Sequence, residues 1–490
     1  MYKMNLFALL IVLATLAPAC SDLPAVHVDG ANLVAGNQPI RLRGVDWGWW
    51  HLSGTQYTEN DMRRQSAWGA NLCRLVFSYG DLESKDHPGQ WSEDGFKQFD
   101  DVIQWARKYN QYVILDMHVV PGGQDPSAYC DGGRNIMWTD PASQKNFFAL
   151  WQEIARRYMN DPVVAAYEIM NEPDTRQTSP NVIVDVYRRA IAAVRTVDPK
   201  KVIVVEGDHY SSAPNLIDAM KMPDDNILYS FHFYDAATYE WLGNLTDGPG
   251  LSATKDWTEL DQDFTPPANA TAMSIMLRSS VNSGTAWFDD VKLTDDTGRI
   301  IVSAGFDHAS SPFSPERGPE SDMQYDSAVG HDAPGSLRVQ TTTSYNGWQG
   351  RRIDIQRGRK YHLSSWIKLD NATGNSYLSV SFFGAKNADV DLDRLRKDMA
   401  PALSFQKKFE VPVWVGEFGC EASGPTGLQT DWVKACISLF ERAGFEWSYW
   451  NYRETTGPTS MALQAETKDG GDYPLNEGLL SALRTGWILN

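Results

Sequence analysis

Two glutamates far apart in the chain each close an apolar run. The first run is Val164-Ala-Ala-Tyr-Glu-Ile-Met-Asn171-Glu172-Pro173, and the second is Val411-Pro-Val-Trp-Val-Gly-Glu417-Phe-Gly. Each reads as a buried strand that stops at a carboxylate and then at a structure-breaking residue. Carboxylates at the ends of parallel barrel strands can work as a pair, one donating a proton and one attacking carbon. That is the chemistry of glycosidic bond cleavage.

Other polar residues fall at the ends of apolar runs in the same way. They are Arg74, Asp116 and His118, Asn171, His232 and Tyr234, and Trp450. An arginine beside an attacking carboxylate keeps it ionised, and a tyrosine hydroxyl can orient it. Histidines and an asparagine can grip sugar hydroxyls, and a tryptophan can floor a sugar pocket.

Eight β-rich runs would position these residues: 40–47, 71–78, 112–118, 163–172, 201–206, 227–234, 411–417 and 445–450. Helical patterns separate most of them. Ser92–Asn110 has an N-cap serine and an apolar stripe of Phe96, Phe99, Val102, Ile103 and Ala106. Ser143–Met159, Asn181–Val197 and Val390–Phe409 read likewise. Strands alternating with helices predict an α/β fold, a (β/α)8 TIM barrel. The sixth and seventh strands are too far apart for a simple crossover. The intervening chain alternates polar and apolar residues between turn signals, which predicts a β-sandwich domain inserted between strand 6 and helix 6. The expected divisions are 1–20 leader, 21–250 first part of the barrel, 251–386 insert and 387–490 last part of the barrel. An insert following a strand emerges at the C-terminal face of the barrel, where barrel active sites lie.

Composition narrows the partners. Lys plus Arg total 44 against 62 acidic residues, a formal charge of −18, which argues against nucleic acid and anionic membrane surfaces. Polysaccharide or oligosaccharide is the expected partner of a monomer. The apolar run Leu6–Leu16 followed by Ala17-Pro18-Ala19-Cys20 has the pattern of an export signal with a lipid-acceptor cysteine. An exported protein is expected, anchored by lipid at Cys20 on the outer membrane or cell surface, or else periplasmic or secreted. Cys73, Cys130, Cys420 and Cys436 remain; three disulfide pairings are open, as are buried thiols.

The ordered set of residues resembles glycoside hydrolase family 5, cellulase-like enzymes that retain anomeric configuration. The resemblance rests on Asn171-Glu172-Pro173, on Gly416-Glu417-Phe418-Gly419, and on the supporting residues in the expected order. It implies Glu172 as acid/base and Glu417 as nucleophile, with Arg74, His118, Asn171, His232, Tyr234 and Trp450 as supporting and substrate-binding residues. It implies no cofactor and no metal, and a β-linked polysaccharide substrate, β-1,4-glucan first. A β-mannanase or exo-β-1,3-glucanase on the same scaffold is the alternative, and a non-catalytic surface glycan-binding protein is the reading from another class. The stretch His118-Val-Val-Pro121-Gly-Gly-Gln124 points to glucan. The insert resembles a carbohydrate-binding β-sandwich whose segments Gly335-Ser-Leu-Arg-Val and Trp287-Phe-Asp-Asp-Val-Lys-Leu293 occur in permuted order.

Rival residues have plainer readings. Glu168 shares strand parity with Glu172 but would lie roughly 13 Å deeper at about 3.3 Å per residue, as a buried structural partner. Glu206 ends the fifth run and is the rival carboxylate. Asp289-Asp290 could hold structural calcium or form a solvated hairpin. Tyr345, Trp348 and Trp366 are either sugar platforms or core.

Overall fold

In the computed structural model, the residues described are 23–48, 57–84, 87–127, 130–175, 180–234, 239–245, 250–280, 284–307, 312–316, 323–340, 345–356, 358–385, 390–420, 428–454, 461–465 and 474–488. The leader and Cys20 lie outside them.

Eight parallel strands close a barrel: β1 (Arg43–Trp47), β2 (Leu72–Ser78), β3 (Tyr112–Val119), β4 (Val164–Glu168), β5 (Val202–Glu206), β6 (Ile227–Tyr234), β7 (Val413–Gly419) and β8 (Glu446–Tyr449). The crossover helices are α1 (Glu59–Trp68), α2 (Glu93–Lys108), α3 (Pro141–Tyr158), α4 (Pro180–Arg195), α5 (Leu392–Phe409) and α6 (Leu428–Ala443), followed by α7 (Glu477–Trp487). Only short helical turns, Asp208–Ser211, Ala213–Asn215 and Asp218–Met220, join β5 to β6. The α2 prediction matches closely: Ser92 Oγ accepts from Gly95 N at 3.1 Å, and the five stripe residues are buried. No helix among the described residues is long and apolar enough to cross a membrane.

The barrel interior changes character along its axis. At the N-terminal end Leu72, Ile114, Ala166, Val204, Leu228 and Trp414 form one apolar cluster. Val26 and Leu33 join it from a three-stranded meander (Val26–Asp29, Asn32–Ala35, Gln38–Ile40) that the sequence reading did not anticipate. Two residues further along β2 to β5 the same inward parity reaches Arg74, Asp116, Glu168 and Glu206, all fully buried. Apolar packing at one end thus seats a charged layer near the other.

Between β6 and α5 lie two antiparallel sheets that share one core. Met273, Ile275 and Leu277 come from one sheet and Phe288, Leu293 and Ile367 from the other. The insert's first strand, Tyr239–Asn244, lies ahead of the expected boundary at 251. It pairs with the last strand, Asn375–Ala385, in the register Tyr239↔Ala385. The insert therefore leaves and rejoins the barrel at adjacent points. Further strands of the insert run at 255–264, 300–304, 313–316 and 323–326.

Candidate active site

Arg74 on β2 is the hub of the charged layer. Its Nη1 donates to Glu417 Oε1 at 2.6 Å, Nε to Glu168 Oε2 at 2.7 Å, and Nη2 to Asn171 Oδ1 at 2.8 Å. Asp116 lies 3.0 Å from Nη2, and the guanidinium sits 5.8 Å above the Trp414 ring. A buried guanidinium needs such partners, because desolvating it unpaired is prohibitive. Asp46 at 3.7 Å and Glu206 at 3.8 Å complete its surroundings.

Glu417 reaches this hub through a local irregularity. Trp414 points into the barrel, so simple alternation would aim residue 416 inward and Glu417 outward. The register of β7 on β6 shifts between Val415 and Glu417, which re-aims the carboxylate inward. Only glycine fits at 416: a Cβ there would lie 2.6 Å from Ser230 Oγ and 3.0 Å from His232 Nε2. Phe418 then packs outward against Phe440, Trp447 and Tyr449.

Glu172 is not on β4, as the sequence reading had it; the strand stops at Glu168. Strand parity with Glu168 therefore does not apply. Glu172 sits at φ 40°, a left-handed conformation that costs a non-glycine residue on the order of 1 kcal/mol or more. Its N–H donates to Glu206 Oε2 at 2.7 Å, and His232 Nδ1 lies 2.7 Å from its Oε1.

These placements bring all eight expected residues to one end of the barrel. Tyr234 OH donates to Glu417 Oε2 at 2.6 Å. His232 Nδ1 is 3.6 Å from Glu417 Oε2, and an oxygen of Glu172, an oxygen of Glu417 and a ring nitrogen of His232 all lie within 4.8 Å of one another. His118 Nδ1 is 2.9 Å from Asp116 Oδ2; its ring stacks on Trp450 at 5.4 Å, and its Nε2 is 3.3 Å from Asn171 Nδ2. Tyr234, at 39% exposure, marks where the cluster meets solvent.

The environments of the two glutamates differ. Burial pushes the Glu417 carboxyl up, but His232, Arg74, His118 and the Tyr234 hydrogen bond outweigh it, leaving it below the ordinary carboxylate range. Burial also pushes Glu172 up. His232 opposes this, Glu417 adds to it, and the net direction is upward. One acid is biased toward the ionised form and its neighbour toward the protonated form.

Four contributors were underread from sequence. Glu206 is fully buried and touches Glu172 through the backbone. Ser448 Oγ donates to Asp46, tying β8 to β1 under the site. Gln124 Nε2 donates to His118 O at 2.7 Å and Asn171 O at 2.9 Å, so it staples the β3 exit to the β4 exit. The glucan cue in 118–124 thus contains an internal support. Strand-end position was the available signal for Asp46 and Glu206; Gln124 carried none.

A (β/α)8 barrel with paired buried carboxylates at one end is an arrangement suited to glycoside hydrolysis. Residues 33–271 match the family described as cellulase, glycosyl hydrolase family 5. The matched stretch spans the first six barrel strands and the opening of the β-rich insert. It is 25% identical to endoglucanase C of Acetivibrio thermocellus over 403 residues, 82% of this chain and 85% of the relative. It is 28% identical to cellodextrinase A of Ruminococcus flavefaciens over 41% of this chain and 61% of that one. The fold matches the crystal structure of endoglucanase Cel5A from Thermotoga maritima with a TM-score of 0.51 at 14% identity, covering 90% of this chain and 96% of the other.

Proposed function

We propose that the protein hydrolyses β-1,4-glucan with retention of configuration, Glu417 being the nucleophile and Glu172 the acid/base. The observation that carries this is the approach of Glu172 and Glu417 oxygens to within 4.8 Å. Retaining enzymes place their carboxyl groups about 5–5.5 Å apart, whereas inverting enzymes leave about 6.5–9.5 Å for a water. Glu417 attacks the anomeric carbon as the glycosidic C–O bond breaks, and the departing oxygen takes the proton of Glu172. Water then loses a proton to Glu172 and attacks the same carbon, releasing Glu417 as a carboxylate. Arg74 and Tyr234 hold Glu417 ionised, and Trp450, stacked on His118, supplies an aromatic wall for a sugar ring. The names of the relatives, endoglucanase and cellodextrinase, support β-1,4-glucan over mannan or β-1,3-glucan.

Product analysis tests the reading. NMR of cello-oligosaccharide hydrolysis is expected to show the β-anomer first, and a polysaccharide panel to show cleavage of carboxymethylcellulose. Initial release of the α-anomer would overturn the assignment of Glu417. The export signal, the lipid anchor at Cys20 and glycan binding by the insert belong to the same proposal. An enzyme acting on an extracellular polymer fits a leader-like N-terminus and an appended β-sandwich. Metabolic labelling with a palmitate analogue, lost in Cys20→Ala, tests the anchor.

In the insert, Trp348 is core, 6% exposed, with Nε1 donating to Arg338 O at 3.2 Å. Trp366 is half-buried with His331 stacked on it at 3.7 Å. The Tyr345 side chain lies outside the described residues. Of Trp348 and Trp366, Trp366 is the one nearer the surface. Asp289 is buried inside the strand Thr285–Asp295, at a register shift rather than in the expected solvated hairpin, and accepts from the backbone N–H groups of Asp290 and His331.

A further inference from the structure

Glu206 is a buried acid that the two-carboxylate chemistry does not use. It is fully buried at the C-terminal end of β5. Its Oε2 accepts the N–H of Glu172 at 2.7 Å, the residue whose backbone is left-handed. Its Oε1 faces His232 Nε2 at 3.4 Å, and neither of those atoms has a formed hydrogen bond among the described residues. His232 Nδ1, on the other side of the ring, lies against Glu172 Oε1. Arg74 at 3.8 Å, Glu168 within 4.8 Å and the Tyr187 hydroxyl, which accepts the Glu206 N–H at 3.2 Å, are its other neighbours.

We propose that Glu206 is a positioning residue for the acid/base step: it holds Glu172 by its backbone and fixes His232 between the two reacting carboxylates. Two contacts reach the same glutamate from opposite ends. One pins the main chain in a conformation a free chain disfavours. The other faces a carboxylate toward Nε2, which holds the ring with Nδ1 against Glu172. The rest of the β5 exit reinforces the grip, since Tyr210 N donates to Pro173 O at 3.1 Å and Asp208 accepts from Thr175 N at 2.9 Å. Burial pushes the Glu206 carboxyl up, yet His232, Glu168 and Arg74 bring it down to about 2, so the group is an acceptor throughout the working range.

The inference rests on the retaining reading, and leaving-group chemistry separates the two. A sugar leaving group needs proton donation; 2,4-dinitrophenolate does not. Wild type, Glu206→Gln and Glu206→Asp are compared on cellotetraose and on 2,4-dinitrophenyl β-cellobioside, with thermal unfolding as the folding control. Gln keeps the shape and loses the charge. Asp keeps the charge and loses the reach, and it carries the comparison alone if Gln does not fold. In each folded variant kcat/KM on cellotetraose is expected to fall at least about tenfold more than on the dinitrophenyl glycoside, within the 10²–10⁴ range of acid–base assistance. Equal losses on both substrates would reduce Glu206 to a structural carboxylate and overturn the proposal. A wild type inactive on both would instead remove the retaining reading, and the proposal with it.

Discussion

The barrel and the insert bury their polar groups differently. In the barrel one guanidinium contacts or faces five acids, Asp46, Asp116, Glu168, Glu206 and Glu417, with both partners near zero exposure in each case. In the insert, ion pairs such as Arg359–Asp296, His362–Asp263 and Lys368–Asp256 are at the surface. Its interior buries groups that bond the backbone, such as the Ser365 hydroxyl, which donates to Asp289 O at 2.8 Å, and the Asp289 carboxylate, which accepts from the His331 N–H. Water screens the insert's charges and makes them nearly free to change. The barrel's charges are unscreened, costly to remove singly, and able to shift one another's protonation. Chemistry therefore resides in the barrel, and whatever the insert contributes acts through its surface.

The largest expected effect is loss of the nucleophile. Glu417→Ala should lower kcat on an aryl β-cellobioside by roughly 10⁴-fold or more, the scale seen when a catalytic nucleophile is removed. Background release equal to wild type would return the barrel to a glycan-binding role. Next is Arg74→Met, which strands several buried acids. It should cost about 3–5 kcal/mol in urea unfolding, whereas Arg359→Ala in the insert should leave the midpoint unmoved. Similar shifts for the two would erase the contrast between the regions.

A smaller effect concerns pH. Activity requires ionised Glu417 and protonated Glu172. The acid limb of kcat/KM should therefore lie below the usual carboxylate range and the basic limb above it. Tyr234→Phe removes a hydrogen bond that favours the ionised form, so the acid limb should move up while the basic limb moves less. A profile unchanged by that substitution would show that Tyr234 does not bear on Glu417. The smallest effect is expected from removing the insert. Because Tyr239 pairs with Ala385, deletion of 239–385 with a short glycine–serine bridge closes a narrow gap. Turnover of cello-oligosaccharides should persist while action on insoluble glucan weakens; equal rates on both would exclude a polymer-targeting surface.

The strand–helix rhythm and the barrel were legible in the sequence, because burial and alternation are local signals; the eight expected site residues came from strand ends and the family resemblance, and the structure brings them to one end of the barrel. Apolar runs that end in a polar residue mark a strand end wherever the strand lies. Their limits were equally physical. Alternation along β7 aims Glu417 the wrong way, and only the bulge at Gly416, required by His232 and Ser230 from the neighbouring strand, turns it inward. Glu172 looked like a strand residue, yet it leaves the strand and depends on Glu206 to stay in place. The insert's opening strand was hidden because its pairing partner lies more than a hundred residues on. The sequence by itself determined the order of the strands and the inward face of the regular ones, β2 to β5. The tertiary structure alone decided which of them touch, because contacts between residues far apart in the chain depend on register, bulges and backbone strain that no local pattern encodes.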